Sequence, residues 1–181
     1  MECAHIALLH GMESVNRLLI FLMIVTVLLP VGCPRPRKET TLGATPDMHR
    51  PIIALRSRHA AFHRGDIGEA VEPFDAQIEW AEPAEFPGGG TYHGRKAVKR
   101  YLAQSRSSWA EGNSEPERFI TAGNRIVVFV HVRARSKDSK EWNEVRLADV
   151  YTIRDGQPVQ MRAFADRKEA LRWAGVEDAN L

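Results

Sequence analysis

The sequence predicts an α+β domain in which a curved antiparallel sheet wraps around N-terminal helices and encloses one cavity. Helical apolar spacing is concentrated in the first half of the domain, whereas alternating, strand-like runs dominate the second half. The clearest signal is Asp155-Gly156, which lies between two alternating runs and is typical of a tight β-hairpin turn. Helices followed by a meander of strands are the pattern of the α+β class.

The N-terminal 33 residues are predicted to be a signal-like or mis-annotated leader, because residues 18–32 form an uncharged apolar run. This run is shorter than the roughly twenty residues of a membrane-spanning helix and fits a signal-peptide core. It ends in LLPVGC, which is similar to a bacterial lipoprotein cleavage box with Cys33 as the lipidated residue. Two interpretations stay open: an exported or lipid-anchored protein, or a cytoplasmic one whose translation starts at Met48.

The remaining chain is divided into a linker over residues 34–50, a domain over residues 51–175 and a tail over residues 176–181. The linker is rich in proline, threonine and charge and has no apolar periodicity. The domain begins with apolar residues at helical spacing, namely Ile52, Leu55, His59 and Phe62. Gly65-Asp66 ends this helix, and Asp66 is expected to cap a short second helix over residues 67–72.

A short strand, residues 76–80, and a loop rich in proline and glycine precede the third helix. That helix runs from Arg95 to about Ala110 and carries Trp109 at its end. The later elements are a brief strand over residues 119–122, a long strand over 125–135, the two hairpin strands, and a C-terminal helix over 167–173 capped by Asp166.

The hairpin turn also predicts which side chains share a face of the sheet. With Asp155 and Gly156 as the two loop residues, Arg154 pairs with Gln157, and Asp149 faces Arg162 in the register that follows. One face then carries a mixture of large apolar groups with an acid, a phenol and a guanidinium: Val145, Leu147, Asp149, Tyr151, Ile153, Gln160, Arg162 and Phe164. Such a composition is typical of a pocket wall.

Charge and cysteine content exclude several classes of function. The net charge is +2, from 25 basic and 23 acidic residues that alternate along the chain, so no nucleic-acid partner is predicted. Both cysteines, Cys3 and Cys33, precede the domain and offer neither a disulfide framework nor zinc spacing. No phosphate-binding loop or nucleophile–base pair is recognisable, so neither a cofactor nor a metal is predicted, and membrane contact is expected only through the N-terminal segment.

Three segments resemble one known family. GGTYHGRKAVKRYL, after a strand that ends in Trp80, is similar to the loop–helix signature of the SnoaL-like polyketide cyclases. AFHRGDIGEAV resembles the helix of that group that ends in Gly-Asp, and ADVYTIRDGQPVQMRAFADRKEAL resembles its closing hairpin and acid-capped tail. The resemblance covers residues Pro51 to about Trp173 in the same order. The group belongs to the nuclear transport factor 2-like superfamily, together with ketosteroid isomerase, scytalone dehydratase and limonene epoxide hydrolase.

The resemblance implies a cone-shaped sheet around an apolar cavity that binds a small apolar molecule, and it implies a homodimer. It does not imply one reaction, because the fold supports isomerases, cyclases, dehydratases, hydrolases and proteins without known activity.

Asp149 is the candidate acid or base, because relatives often carry a histidine or an acid at the matching hairpin position. A carboxyl in an apolar cavity has a raised pKa that suits proton transfer, and Tyr151 and Arg162 would polarise the ligand. The competing interpretation is a structural Asp149–Arg162 ion pair. Glu82 is expected to be solvated in a loop, and no second acid is evident beside Asp149, so the two acids that flank an arginine in limonene epoxide hydrolase are not matched.

The predicted ligand-binding residues are mainly aromatic: Trp80, Tyr92, His93, Trp109, Phe129, Leu147 and Phe164. Two functions are therefore predicted as alternatives. One is cofactor-free proton-transfer chemistry of the isomerase, cyclase or dehydratase type on an apolar carbonyl compound. The other is a non-catalytic ligand-binding or dimerisation module, tethered at the cell envelope if the leader is genuine.

Overall fold

The computed structural model describes residues 47–176. The predictions for the leader, for the lipidated Cys33, for linker residues 34–46 and for tail residues 177–181 lie outside the described residues. No helix in the described range is long and apolar enough to cross a membrane.

The four helices of the described range largely follow the sequence prediction: α1 (His49–Arg64), α2 (Ile67–Val71), α3 (Arg95–Ser107) and α4 (Arg167–Ala174). Gly65 ends α1 with a φ of 81°, a backbone conformation that glycine adopts without strain. Asp66 caps α2 by accepting a hydrogen bond from the Glu69 N–H, and Asp166 caps α4 by accepting from Lys168 and Glu169. Both predicted caps are confirmed.

Six strands form one curved, unclosed sheet: β1 (Glu79–Glu82), β2 (Gly90–His93), β3 (Trp109–Ala122), β4 (Arg125–Ser136), β5 (Trp142–Arg154) and β6 (Gln157–Phe164). Their order across the sheet is β2-β1-β6-β5-β4-β3. Four neighbouring pairs are antiparallel, and the β1–β6 pair is parallel. The predicted α+β class is confirmed.

Strand β3 is longer than predicted, and Trp109 begins it instead of ending helix α3. The segment contains Gly112 and Pro116, which weaken local strand signals. Pairing with the long, β-branched β4 imposes the extended conformation, and register shifts after Trp109 and after Pro116 accommodate the irregular residues. Strand β2 was also not predicted, because it begins on the last of three consecutive glycines and is only four residues long.

The two faces of the sheet pack against different helices. Helices α1, α2 and α3 contribute to the main core on one face, called here the concave face, which includes Leu55, Phe62, Val98, Leu102, Ile126, Val128 and Met161. Helix α4 packs on the opposite face, called here the convex face, against Val127, Phe129, Ala148, Val150 and Phe164. In the middle of β4 and β5, successive residues therefore alternate between the main core and a second, separate apolar cluster.

The hairpin turn is as predicted, but the register beyond it is not. Asp155 and Gly156 both have positive φ, 51° and 78°, as a two-residue hairpin turn requires. Arg154 pairs with Gln157 and Ile153 with Pro158, but Thr152 then pairs with Gln160, so one strand carries an extra residue, Val159.

This β-bulge moves every later β6 side chain to the other face of the sheet. Asp149 therefore pairs with Ala163, and Arg162 pairs with Val150. The predicted pairing of Asp149 with Arg162 is wrong, and so is the predicted face of Phe164. Pro158, which has no N–H to donate, is compatible with a bulge at this point.

Candidate functional site

A cavity of about 810 Å³ lies beside the concave face of the sheet. Its walls combine apolar side chains from helices and strands, among them Phe62, Trp80, Leu102, Trp109, Val130, Val132 and Leu147. Four charged residues, Arg58, Glu82, Glu144 and Asp149, line the same space. Glu144 is exposed and pairs with His131 and Arg146, whereas the other three lie deeper. The arrangement is an apolar chamber with a small number of polar groups, which is common in sites for small organic molecules.

The two acids are brought together by the parallel pairing of β1 with β6. Ala81 lies beside Arg162, and one further step in this register places Glu82 beside Ala163. Ala163 in turn pairs with Asp149 on β5. Because neighbouring strands are about 4.8 Å apart, the backbones of the two acids are about 10 Å apart.

Asp149 is buried, with 8% of its surface exposed. Burial raises the pKa of its carboxyl from 3.8 to about 6, and the charge of Arg58 and a hydrogen bond from Tyr151 limit the rise. The Tyr151 hydroxyl donates this hydrogen bond to Asp149 Oδ2 over 3.4 Å. A carboxyl with such a pKa is populated in both protonation states near neutral pH.

Glu82 is the second acid of the cavity, contrary to the prediction that it is solvated in a loop. Burial, and then the negative charge of Asp149, raise the pKa of Glu82 to about 7. The indole Nε1 of Trp80 donates a hydrogen bond of 2.7 Å to Glu82 Oε1, and the Tyr101 hydroxyl also bonds to this carboxyl. These two donors fix the orientation of the Glu82 side chain.

Arg58, on α1, supplies the positive charge of the site and is only 4% exposed. Its guanidinium lies 5.1 Å from the ring centre of Trp80 and 5.7 Å from that of Phe74. It is close enough to Asp149 and Glu82 to lower the pKa of both acids. Among the described residues, however, no carboxylate oxygen lies within 4.0 Å of an Arg58 nitrogen.

Two buried residues contact the charged groups of the site: His59 contacts Arg58, and Tyr151 contacts Asp149. His59 is 2% exposed, and burial followed by the charge of Arg58 lowers the pKa of its imidazole well below the usual value. His59 is thus neutral near pH 7, with both ring nitrogens 3.3–3.4 Å from Arg58 Nη1. Tyr151 is fully buried between Phe74 and Trp80 and does not line the cavity, so its contact is with Asp149.

The structure separates the residues that the sequence grouped into one site. Asp149, Trp80, Tyr92, Trp109 and Leu147 line the cavity, and their part in binding stays a prediction. The others lie elsewhere. His93 is exposed at the end of β2, Phe129 and Phe164 belong to the convex cluster under α4, and Arg162 stacks near Phe164 and Trp173 on that same side.

Arg58 and Glu82 were not predicted as site residues, although a pattern in the sequence places each of them at an inward-facing position. Arg58 is three residues after Leu55 and four before Phe62, which places it on the inward stripe of α1. Glu82 is two residues after Trp80, so both side chains point to the same face of β1. A charged residue at an inward-facing position is the signal that identifies both.

Comparison with known proteins agrees with this architecture. The sequence profile of the SnoaL-like domain matches residues 55–161, and no curated protein matches the chain. An NTF2-like protein of unknown function from Burkholderia pseudomallei is similar, with 25% identity and a TM-score of 0.59, covering 69% of this chain and 97% of that one.

Two further solved structures are similar. An NTF2-like protein from Burkholderia xenovorans shares 27% identity, with a TM-score of 0.55 and coverage of 68% and 94%. A protein with a ketosteroid isomerase-like fold from Catenulispora acidiphila shares 15% identity, with a TM-score of 0.57 and coverage of 74% and 96%, a likeness of fold alone. Because the family profile spans more than half of the sequence, the chain belongs to the SnoaL-like domain family.

Proposed function

We propose that the cavity binds a small, largely apolar carbonyl compound and catalyses cofactor-free proton transfer of the isomerase, cyclase or dehydratase type. The observation that carries the proposal is the position of Asp149 in an apolar cavity, where its pKa is about 6 and no basic side chain of the described range forms an ion pair with it. An acid or base with a pKa close to the working pH is suited to general acid–base catalysis.

Each charged group has a distinct part in this reaction. The carboxylate of Asp149 takes a proton from the carbon next to the carbonyl, and the electrons of the C–H bond move towards the carbonyl oxygen to form an enolate. Arg58 stabilises the negative oxygen, the role that the sequence assigned to Arg162. Asp149 or protonated Glu82 then returns a proton to the enolate. Tyr151 orients Asp149 through its hydrogen bond.

A solvent-exchange experiment tests this function without knowledge of the natural substrate. 2-Tetralone, a flat apolar ketone, is incubated with the protein in D₂O, and deuterium incorporation next to its carbonyl is followed by NMR. The wild-type protein should accelerate the exchange, and Asp149→Asn should slow it by about 10²–10⁴-fold. Asp138→Asn, in the exposed connection before β5, is the matched control and should exchange at the wild-type rate.

The same experiment separates the alternative function, a non-catalytic ligand-binding or dimerisation module. Flat ketones that bind without faster exchange would support that module and would contradict the catalytic proposal. Assembly as a homodimer remains a proposal from the family resemblance, and sedimentation equilibrium of the purified chain tests it directly.

A further inference from the structure

Arg58 is the one buried arginine of the described range, and no acceptor is in contact with its guanidinium. Arg64, Arg135, Arg146 and Arg167 each lie within 4.0 Å of a carboxylate, and Arg95, Arg106 and Arg125 donate to backbone carbonyl oxygens. All seven are more exposed than Arg58. The only polar contact of Arg58 within the described residues is between Nη1 and the ring of His59, and its buried Nε has no hydrogen-bond partner.

A buried guanidinium without an acceptor in contact is unfavourable, because its lost hydration is not replaced. The two acids that share the cavity compensate for this lost hydration only in part, because neither carboxylate is in contact with the guanidinium. Their raised pKa values mean that both carboxyl groups become neutral as the pH falls below about 6, whereas Arg58 keeps its charge. The buried part of the cavity around Arg58 then carries a positive charge beside aromatic and aliphatic walls.

We propose that the ligand of this cavity is a carboxylic acid with an apolar body, whose carboxylate binds to the guanidinium of Arg58. This inference rests on the proposed function and narrows its substrate class to carbonyl compounds that also carry a carboxylate, so that the Arg58 guanidinium holds the carboxylate beside the carbonyl oxygen whose charge it stabilises. The planar guanidinium matches the geometry of a carboxylate. Nη2 donates to no acceptor among the described residues, so it is available to the ligand. The apolar body would extend along Phe62 and Trp109.

Binding of an anion at this position has a consequence for the two acids that face it. The negative charge of the ligand disfavours ionised Asp149 and Glu82, so the complex takes up protons as it forms. Affinity for the carboxylate is therefore expected to fall between pH 6 and pH 8, whereas affinity for a neutral ligand of the same shape should change little.

The experiment compares 2-naphthoate with 2-naphthamide, which has nearly the same shape but no charge. Titration calorimetry on the wild-type chain at pH 6 should give an affinity for naphthoate that is higher by about tenfold or more. Arg58→Met should abolish the difference between the two ligands. Arg56→Met is the matched control, because Arg56 lies on the same helix but is exposed over Phe119, and it should keep the difference.

The outcomes distinguish this inference from the proposed function. Equal affinity for the two ligands on the wild-type protein would overturn the inference. Accelerated deuterium exchange of 2-tetralone would in that case leave the proposed function standing. If neither naphthalene compound nor 2-tetralone binds, the proposed function fails as well. Circular dichroism verifies that Arg58→Met is folded, and Arg58→Lys, which keeps the charge, should retain part of the preference for naphthoate.

Discussion

At the scale of single residues, the site depends on one fixed charge and two acids that titrate near neutral pH. Asp149 and Glu82 are each disfavoured in their ionised forms mainly by burial, and Glu82 is further disfavoured by the charge of Asp149. Arg58 and the hydroxyl of Tyr151 oppose these effects at Asp149 without cancelling them. Small changes around the two carboxyl groups are therefore enough to make them bind or release a proton.

The raised pKa of Asp149 predicts a specific dependence of stability on pH. A group whose pKa is higher in the folded state stabilises the fold below its unfolded pKa, and this contribution is lost as the pH rises through the folded value. For Asp149 the window lies between about pH 4 and pH 6, and a change from 3.8 to about 6 corresponds to roughly 3 kcal/mol.

Asp149→Asn removes this titration. The free energy of unfolding of the variant, relative to wild type, should therefore increase by about 2 kcal/mol between pH 4.5 and pH 8 in urea titrations. Asp138→Asn, on the surface, should show a difference from wild type that does not vary with pH. A constant difference for Asp149→Asn would mean that its carboxyl is not desolvated in the folded protein.

The sequence identified Asp149 as a cavity residue because β5 alternates regularly between Leu147, Asp149 and Tyr151. It did not identify Glu82, because the pattern of β1 is only four residues long and its pairing partner, β6, is distant in the chain. Arg58 was overlooked because an arginine in a helix is normally solvated, and its burial depends on the aromatic rings of Phe74 and Trp80.

At the scale of elements, one extra residue in β6 turns Arg162 and Phe164 away from the face that borders the cavity. The turn type is readable from Asp155-Gly156, since few residue pairs adopt two consecutive positive φ angles. A bulge three residues later has no comparable local signal apart from Pro158. The assignment of β5 to the concave face was therefore correct, whereas Arg162 and Phe164 were placed on the wrong side.

At Gly112 the backbone of β3 lies close to Ala134 of β4. A Cβ atom there would lie 2.7 Å from Ala134 Cα and Cβ, and φ is 152°. Gly112→Ala should lower the free energy of unfolding by about 2 kcal/mol or more, from backbone strain together with steric overlap. Gly123→Ala is the control: φ is 57°, nothing lies within 4 Å, and only strain of about 1 kcal/mol applies.

Both glycine variants can be compared by thermal and urea unfolding. Equal losses at the two positions would show that the β3–β4 contact has room for a methyl group at residue 112. Such a result would contradict the close approach of Gly112 to Ala134.

At the scale of the whole molecule, the two faces of the sheet differ in how completely they are filled. The concave face borders the cavity, whereas the convex face is packed against α4. Strand β4 contributes alternate residues to both, with Val132 lining the cavity and Val127 fully buried in the convex cluster.

Enlarging these two valines should therefore have opposite effects. Val132→Phe extends into open space, so stability should change by less than about 1 kcal/mol while affinity for 2-tetralone falls by about tenfold or more. Val127→Phe overfills a packed cluster and should destabilise the fold by about 1–3 kcal/mol with little direct effect on binding. Destabilisation of similar size by both variants would indicate that the cavity is filled in solution.

The parallel pairing of β1 with β6 has a consequence for how the chain folds. Trp80 pairs with Met161, so the sheet is complete only when a strand from the start of the domain meets the last strand of the C-terminal hairpin. Contacts between residues so far apart in sequence form slowly, because a large loop must close before they can be made. The pairing of β1 with β6 brings Glu82 close to Asp149. We therefore expect the site to be assembled late in refolding, after the β3–β4–β5 meander has formed.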